Sequence, residues 1–213
     1  MKDYQKEFIE FSLKIGVLKF GDFTLKSGRV SPYFFNTGLF NTGTSIASLG
    51  KFYAKTIIDS NIKFNVLFGP AYKGIPLSAV TVSTLYNDHD VDVPYAFNRK
   101  EKKNYGEGGN IVGHHLEGKI LIIDDVITAG TAIRESMEII ANEGAEAAGV
   151  VLALDRQEQG ENGVSAIQEI EEKYKVPVFS IAKLDDLITF LEQKNSLKDL
   201  EKINKYRNKY GVN

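Results

Sequence analysis

The sequence contains no cysteine, which excludes a disulfide frame, a thiolate nucleophile, cysteine-ligated zinc and an iron–sulfur centre. Histidine is nearly as scarce. His89, His114 and His115 are the only three, too few for a histidine-rich metal site, and the adjacent pair reads as surface residues. Charge of one sign is also missing: 26 Lys+Arg stand against 28 Asp+Glu, a formal net charge of −2, which removes nucleic acid as a default partner. No apolar run approaches the ~18 residues of a membrane-spanning helix. Asp3, Glu7 and Glu10 interrupt the N-terminal stretch where a secretory signal would be continuously hydrophobic.

What is present is an ordinary globular composition, 43% hydrophobic and 25% charged over 213 residues. Such a length supports one substantial core that buries roughly 70% of the surface exposed by the unfolded chain, so 1–213 reads as a single domain. Tyr4, Phe8, Phe11 and Ile15 recur at helical spacing, with Asp3 as the expected N-cap and Gly16 as the stop. Phe23–Leu25 and Tyr33–Phe35 read as two short strands of a hairpin-like addition. From about residue 45 the pattern alternates. Helices are expected over 45–60, 75–87, 131–143, 163–173, 184–194 and 196–210. Strands are expected at Phe64–Phe68, Val93–Phe97, Lys119–Ile123, Gly149–Leu154 and Val176–Ile181. Runs such as Ile120-Leu121-Ile122-Ile123 are continuously apolar, as in a parallel sheet covered on both faces. The expected fold is therefore a doubly wound, mostly parallel α/β sheet of about five strands, with 98–117 as a loop. Ligands of such sheets bind beyond the carboxyl ends of the strands.

One of those strand ends carries most of the chemistry. Asp124-Asp125-Val126-Ile127-Thr128-Ala129-Gly130-Thr131-Ala132 follows strand 119–123 and runs directly into a helix. Small residues expose backbone N–H groups, Thr128 and Thr131 add hydroxyl donors, and the helix N-terminus supplies positive potential, which together suit a phosphate. Two adjacent carboxylates repel phosphate but accept protons from hydroxyls, such as those of a ribose. A sugar phosphate fits both halves. The lysine of a P-loop is absent, which argues against Walker-type hydrolysis.

The segment Ile122–Thr131 resembles the phosphoribosyl-pyrophosphate (PRPP) motif of type I phosphoribosyltransferases. Four further segments resemble the orotate-using branch of that family: Asp22–Arg29 with Ser31–Asn36 its N-terminal hood, Phe68–Pro76 its pyrophosphate loop, Arg99–Gly109 its flexible catalytic loop, and Ala153–Glu158 its base-recognition segment. The resemblance runs from about residue 20 to 160 in the family's order. It implies a hood of about 1–40 plus the C-terminal helices on a core of about 45–182, and a reaction of orotate with PRPP to give orotidine 5′-monophosphate and pyrophosphate. It implies Lys100, Lys103 and Asp125 as catalytic residues. PRPP would be held by Lys26, Tyr72, Lys73, Arg99, Lys100, Lys103, Tyr105 and residues Asp124, Asp125, Val126, Ile127, Thr128, Ala129, Gly130, Thr131 and Ala132. Orotate would meet Lys26, Phe34, Phe35, Thr128 and Arg156. The resemblance also implies Mg²⁺ carried by PRPP without a direct protein ligand, a cytoplasmic homodimer whose catalytic loop is shared across subunits, and no nucleic-acid or membrane partner.

The residues themselves agree with these roles. Pyrophosphate is a polyanionic leaving group, so charge stabilisation there is the largest catalytic need, and Arg99, Lys100, Lys102 and Lys103 set four cations against Glu101 within five residues. The glycines at 106, 108, 109 and 113 make that segment suited to closing over substrate. Orotate is planar and carries a carboxylate, which fits an aromatic slot at Phe34 and Phe35 and the forked donors of Arg156. Tyr105 stands where many members carry histidine; a phenol with a pKa of about 10 stays neutral and can only hydrogen-bond. The family's strained non-proline cis peptide would fall at Ala71-Tyr72. Two other readings stay open at this point. A purine phosphoribosyltransferase is opposed by Lys26, Phe34, Phe35 and Arg156. A PRPP-sensing regulator would be expected to lose Lys100 and Lys103 and to gain a basic face. A fused decarboxylase barrel is not expected at this length.

Overall fold

The computed structural model describes residues 1–25, 27–103, 109–160 and 163–212, and for residues 102, 103 and 109 the backbone alone. Among these residues the chain starts with helix α1 (Asp3–Lys14) and a two-stranded antiparallel hood of β1 (Leu18–Thr24) and β2 (Val30–Phe35). A short 3-10 turn (Thr37–Leu39) leads into α2 (Gly43–Ser60), β3 (Val66–Phe68), α3 (Gly74–His89), β4 (Tyr95–Lys103) and β5 (Gly109–Gly113). Then come β6 (Lys119–Ile123), α4 (Thr131–Asn142), β7 (Glu146–Asp155), α5 (Ala166–Tyr174), β8 (Val178–Lys183), α6 (Leu184–Gln193) and α7 (Leu197–Tyr210).

The main sheet has the order β5-β4-β3-β6-β7-β8. Every pairing in it is parallel except β4 with β5. Side chains on a strand alternate between faces, and both faces are buried here. Leu121, Ile123, Val151 and Ala153 join one core with α1, α2, α3 and α6. Ile120, Ile122, Val150 and Leu152 join a second with Ile133, Met137 and Ile140 of α4 and Ile170 of α5. This is the doubly wound arrangement, and it places the ends of β3, β6 and β7 in one row. Among the described residues no helix is long and apolar enough to cross a membrane.

Several expectations need correction. The sheet has six strands among the described residues, not about five. The stretch 98–117 is not one loop: β4 continues to Lys103 and β5 returns beside it as an antiparallel edge. Its charged sequence hid the strand, because an edge hairpin exposed to water needs no continuous apolar run. The N-cap of α1 is Lys2, with Asp3 in the first turn. Gly16, at φ +74°, does end that helix, in the left-handed conformation that glycine adopts without steric cost. β1 and β7 also begin earlier than their apolar cores imply, at Leu18 and Glu146.

Candidate active site

Strand β6 delivers Asp124 and Asp125 to the carboxyl edge of the sheet, both nearly buried. Each carboxylate caps the next amide. Asp125 N donates to Asp124 Oδ1 (2.9 Å) and Val126 N to Asp125 Oδ1 (2.8 Å). Asp125 Oδ2 also accepts the Thr37 hydroxyl and pairs with Lys73 Nζ, each at 2.5 Å. Lys73 Nζ lies 3.3 Å from Thr37 Oγ1. Tyr53, from α2, donates its hydroxyl to the Asp124 carbonyl (2.8 Å). Burial first, and the neighbouring Asp125 charge second, push the Asp124 carboxyl up to about 7, while Asp125 holds a cation and a hydroxyl.

Beyond them the loop opens into a depression of about 260 Å³ lined by Asp124 and Val126–Ile133. Gly130 caps α4 at φ +73°. Thr128, Ala129, Thr131 and Ala132 are exposed there, and the first turn of α4 has no acid, so its N-terminal potential is unopposed. Arg134 Nη2 donates to the Ala129 carbonyl and closes the loop from below.

Next to β6, β3 ends in the Gly69–Lys73 turn. Ala71-Tyr72 is a cis peptide, as expected, and Asn98 of β4 accepts the Ala71 N–H (2.8 Å). Gly69 and Gly74 face each other so closely that a Cβ on Gly69 would lie 2.0 Å from the Gly74 carbonyl oxygen. Tyr72 and Lys73 are largely exposed at the tip.

A larger groove of about 820 Å³ lies on the other side of Val126–Ala129, which line both spaces. Its hood wall includes Thr24, Leu25, Arg29, Phe34 and Phe35, and its floor Leu154–Gly160. Phe34 is 40% exposed and stacks on Phe23 (centroids 5.4 Å, 29°). Arg156 enters from the end of β7. Its guanidinium lies over the Tyr33 ring (4.4 Å), donates from Nε to Glu158 Oε1 (2.8 Å), and pairs through Nη2 with the same oxygen (2.6 Å). Nη2 also reaches Ser31 Oγ (3.1 Å).

The structure therefore brings together Asp124, Asp125 and Val126–Ala132 at the cradle, and Phe34, Phe35, Thr128 and Arg156 at the groove. Lys73 joins the site through Asp125. Arg99, Lys100 and Tyr72 line neither space. Lys100 Nζ stands 4.0 Å from Glu135 Oε2 in an exposed pair. Arg99 Nη1 is buried without a hydrogen-bond partner among the described residues. Lys26, Tyr105 and the Lys103 side chain lie outside the described residues. Sequence reasoning assigned no role to Thr37, Asn98, Arg29, Ser31 or Glu158. The last three lie inside segments quoted for their resemblance. Only the folded partners reveal what any of the five does.

Comparisons with known proteins agree with this geometry. Residues 40–181 match the phosphoribosyl transferase domain model. The chain is 62% identical to the orotate phosphoribosyltransferase of Vibrio parahaemolyticus and 59% identical to that of Shigella sonnei, over the whole length of both partners in each case. Among solved structures, the orotate phosphoribosyltransferase of Francisella tularensis superposes with a TM-score of 0.90 at 46% identity, covering 97% of this chain and 100% of that one.

Proposed function

Because the chain belongs to the phosphoribosyl transferase family, we propose that the two spaces separated by Val126–Ala129 are the two halves of an orotate phosphoribosyltransferase site. The chain acts in pyrimidine biosynthesis, as its full-length relatives do. The observation that supports this most is the shared wall. An anion cradle with a carboxylate pair adjoins an aromatic groove that ends in a buried arginine.

PRPP places its 5′-phosphate against the amides of Val126–Ala132 and its ribose hydroxyls on the carboxylates. Asp125 already accepts a hydroxyl, from Thr37, which is the contact this role requires. Orotate lies against Phe34 with its carboxylate toward Arg156. The ring nitrogen, its proton released to solvent, forms the new C–N bond at the anomeric carbon as the C–O bond to pyrophosphate breaks, and that bond's electron pair leaves with pyrophosphate. Lys73, together with Arg99, Lys100 and Lys103 supplied by the loop of a second copy, offsets that charge in a site from which closure excludes water. Tyr105 contributes a hydrogen bond at most.

Magnesium bound with PRPP would supply charge neutralisation on the phosphates. The donor set fits it, since Mg²⁺ prefers phosphates, waters and one or two carboxylates, and Asp124 and Asp125 stand side by side at the cradle. The working form is a cytoplasmic homodimer that needs neither nucleic acid nor membrane. Incubating the protein with orotate, PRPP and Mg²⁺ tests the reading by loss of orotate absorbance. Unchanged absorbance from folded protein, or turnover of a purine base instead, overturns it.

A further inference from the structure

The last residues of the chain are fastened to the groove floor, and no role in the reaction accounts for them. Tyr210–Val212 run antiparallel to Gln157–Gln159. Gln159 N donates to the Tyr210 carbonyl (2.7 Å), Val212 N to the Gln157 carbonyl (2.9 Å), and Gln159 Nε2 to the Gly211 carbonyl (2.7 Å). Arg29 of the hood crosses the same junction, with its guanidinium 4.8 Å from the Tyr210 ring centroid and Nη1 donating to the Gln159 carbonyl (3.1 Å). Tyr206 of α7 is nearly buried beside Glu158 and Arg156. Farther along, Arg207 pairs with Asp185 (2.7 Å), which accepts from Gln157 Nε2 (2.9 Å). The segment that carries Arg156 and Glu158 is therefore held from the hood, from α6 and from the C-terminus.

Glu158 sits between two cations, on Arg156 and 4.0 Å from Arg29 Nη1. With Ser31 it occupies Nε and Nη2 of Arg156, while Nη1 has no partner among the described residues and the side chain lines the groove. A guanidinium offers five N–H donors in a rigid plane, so fixing one edge aims the other. We propose that Tyr206–Val212 is a positioning strap for base recognition: it holds Glu158 against Arg156, so that the remaining guanidinium edge is set for a carboxylate-bearing pyrimidine, and thereby sets the preference for orotate over uracil. This rests on the reading of the groove given above.

Two variants test it, a chain ending at Tyr210 and Glu158→Gln, each assayed with orotate and with uracil and checked by thermal melting. Both should raise the orotate KM about tenfold, which corresponds to about 1.4 kcal/mol, leave the PRPP KM within about twofold, and lower the orotate-to-uracil ratio of kcat/KM about tenfold. If the shortened chain fails to fold, Glu158→Gln decides alone. An orotate KM that stays put or falls would mean Glu158 is idle or competes with substrate, and a parallel rise for PRPP would mean a general loss of structure; each of these overturns the strap. Wild-type protein that leaves orotate untouched overturns the underlying reading as well, whereas wild-type turnover with unaltered variants sinks the strap alone.

Discussion

Asp124 and Asp125 are neighbours of the same chemical type, and their surroundings separate them. Asp125 has Lys73 and Thr37 within 2.5 Å, whereas the Asp124 carboxyl is raised to about 7 by burial and by Asp125. An unfolded Asp titrates near 3.9, so between about pH 4 and pH 7 the folded state keeps a proton that the unfolded state releases. The raised value contributes stability that is complete below about pH 4 and lost as pH rises through 7. Asp124→Asn keeps the acceptor for Asp125 N and never ionises. It should melt above wild type at pH 8, with the gap closing toward pH 4; each kcal/mol is worth about 2–4 °C in a domain of this size. A gap that does not change with pH would refute the assignment. Lys73→Ala removes a cation from the pyrophosphate side and should raise the PRPP KM about tenfold or more, as expected for a charge-assisted contact, with a smaller effect on the orotate KM. Equal effects on both substrates would place Lys73 elsewhere. At this scale the cradle was legible because nine consecutive residues, Asp124–Ala132, hold it. Thr37 was not, since its partner lies 88 positions away, and nothing local marks a threonine as a carboxylate's donor.

At the scale of elements, the join between β3 and α3 is set by two glycines. A methyl at Gly69 would meet backbone at 2.0 and 2.5 Å, and one at Gly74 would meet the Gly69 carbonyl carbon at 2.5 Å. Flexible side chains can yield to such contacts, but backbone cannot. Gly69→Ala should therefore cost at least the roughly 3 kcal/mol at the upper end of overpacking penalties, lower the melting temperature by about 6 °C or more, and weaken PRPP binding by moving the Ala71–Lys73 turn. A variant that melts with wild type would show that the two elements can part. The pyrophosphate loop was readable as a motif, but this face-to-face approach was not, because proximity across a turn leaves no trace in composition. The β4–β5 hairpin was missed for the opposite reason. Its residues Arg99–Lys103 were read for their charge, and charge says nothing about pairing when a strand lies at a solvated edge.

For the whole molecule, the unbroken apolar runs Ile120–Ile123 and Val150–Leu154 were enough to anticipate a sheet buried on both faces, since parallel strands covered on both sides read as continuous apolar stretches. Whether two copies share the site is a separate matter. The described part of the Arg99–Lys103 stretch does not line its own groove, and Lys100 turns toward Glu135 of the same chain. Whether the loop serves a partner is decided by mixing two variants. Lys103→Ala and Asp125→Asn should each abolish most activity alone. If a two-fold dimer pairs the loop of one copy with the carboxylates of the other, a mixed dimer carries one doubly altered site and one intact site. Equal amounts exchanged to equilibrium would form mixed dimers about half the time, with half of their sites intact, and so restore about a quarter of wild-type turnover. A loop confined to its own subunit gives every site one lesion, and the mixture then stays as inactive as its parents.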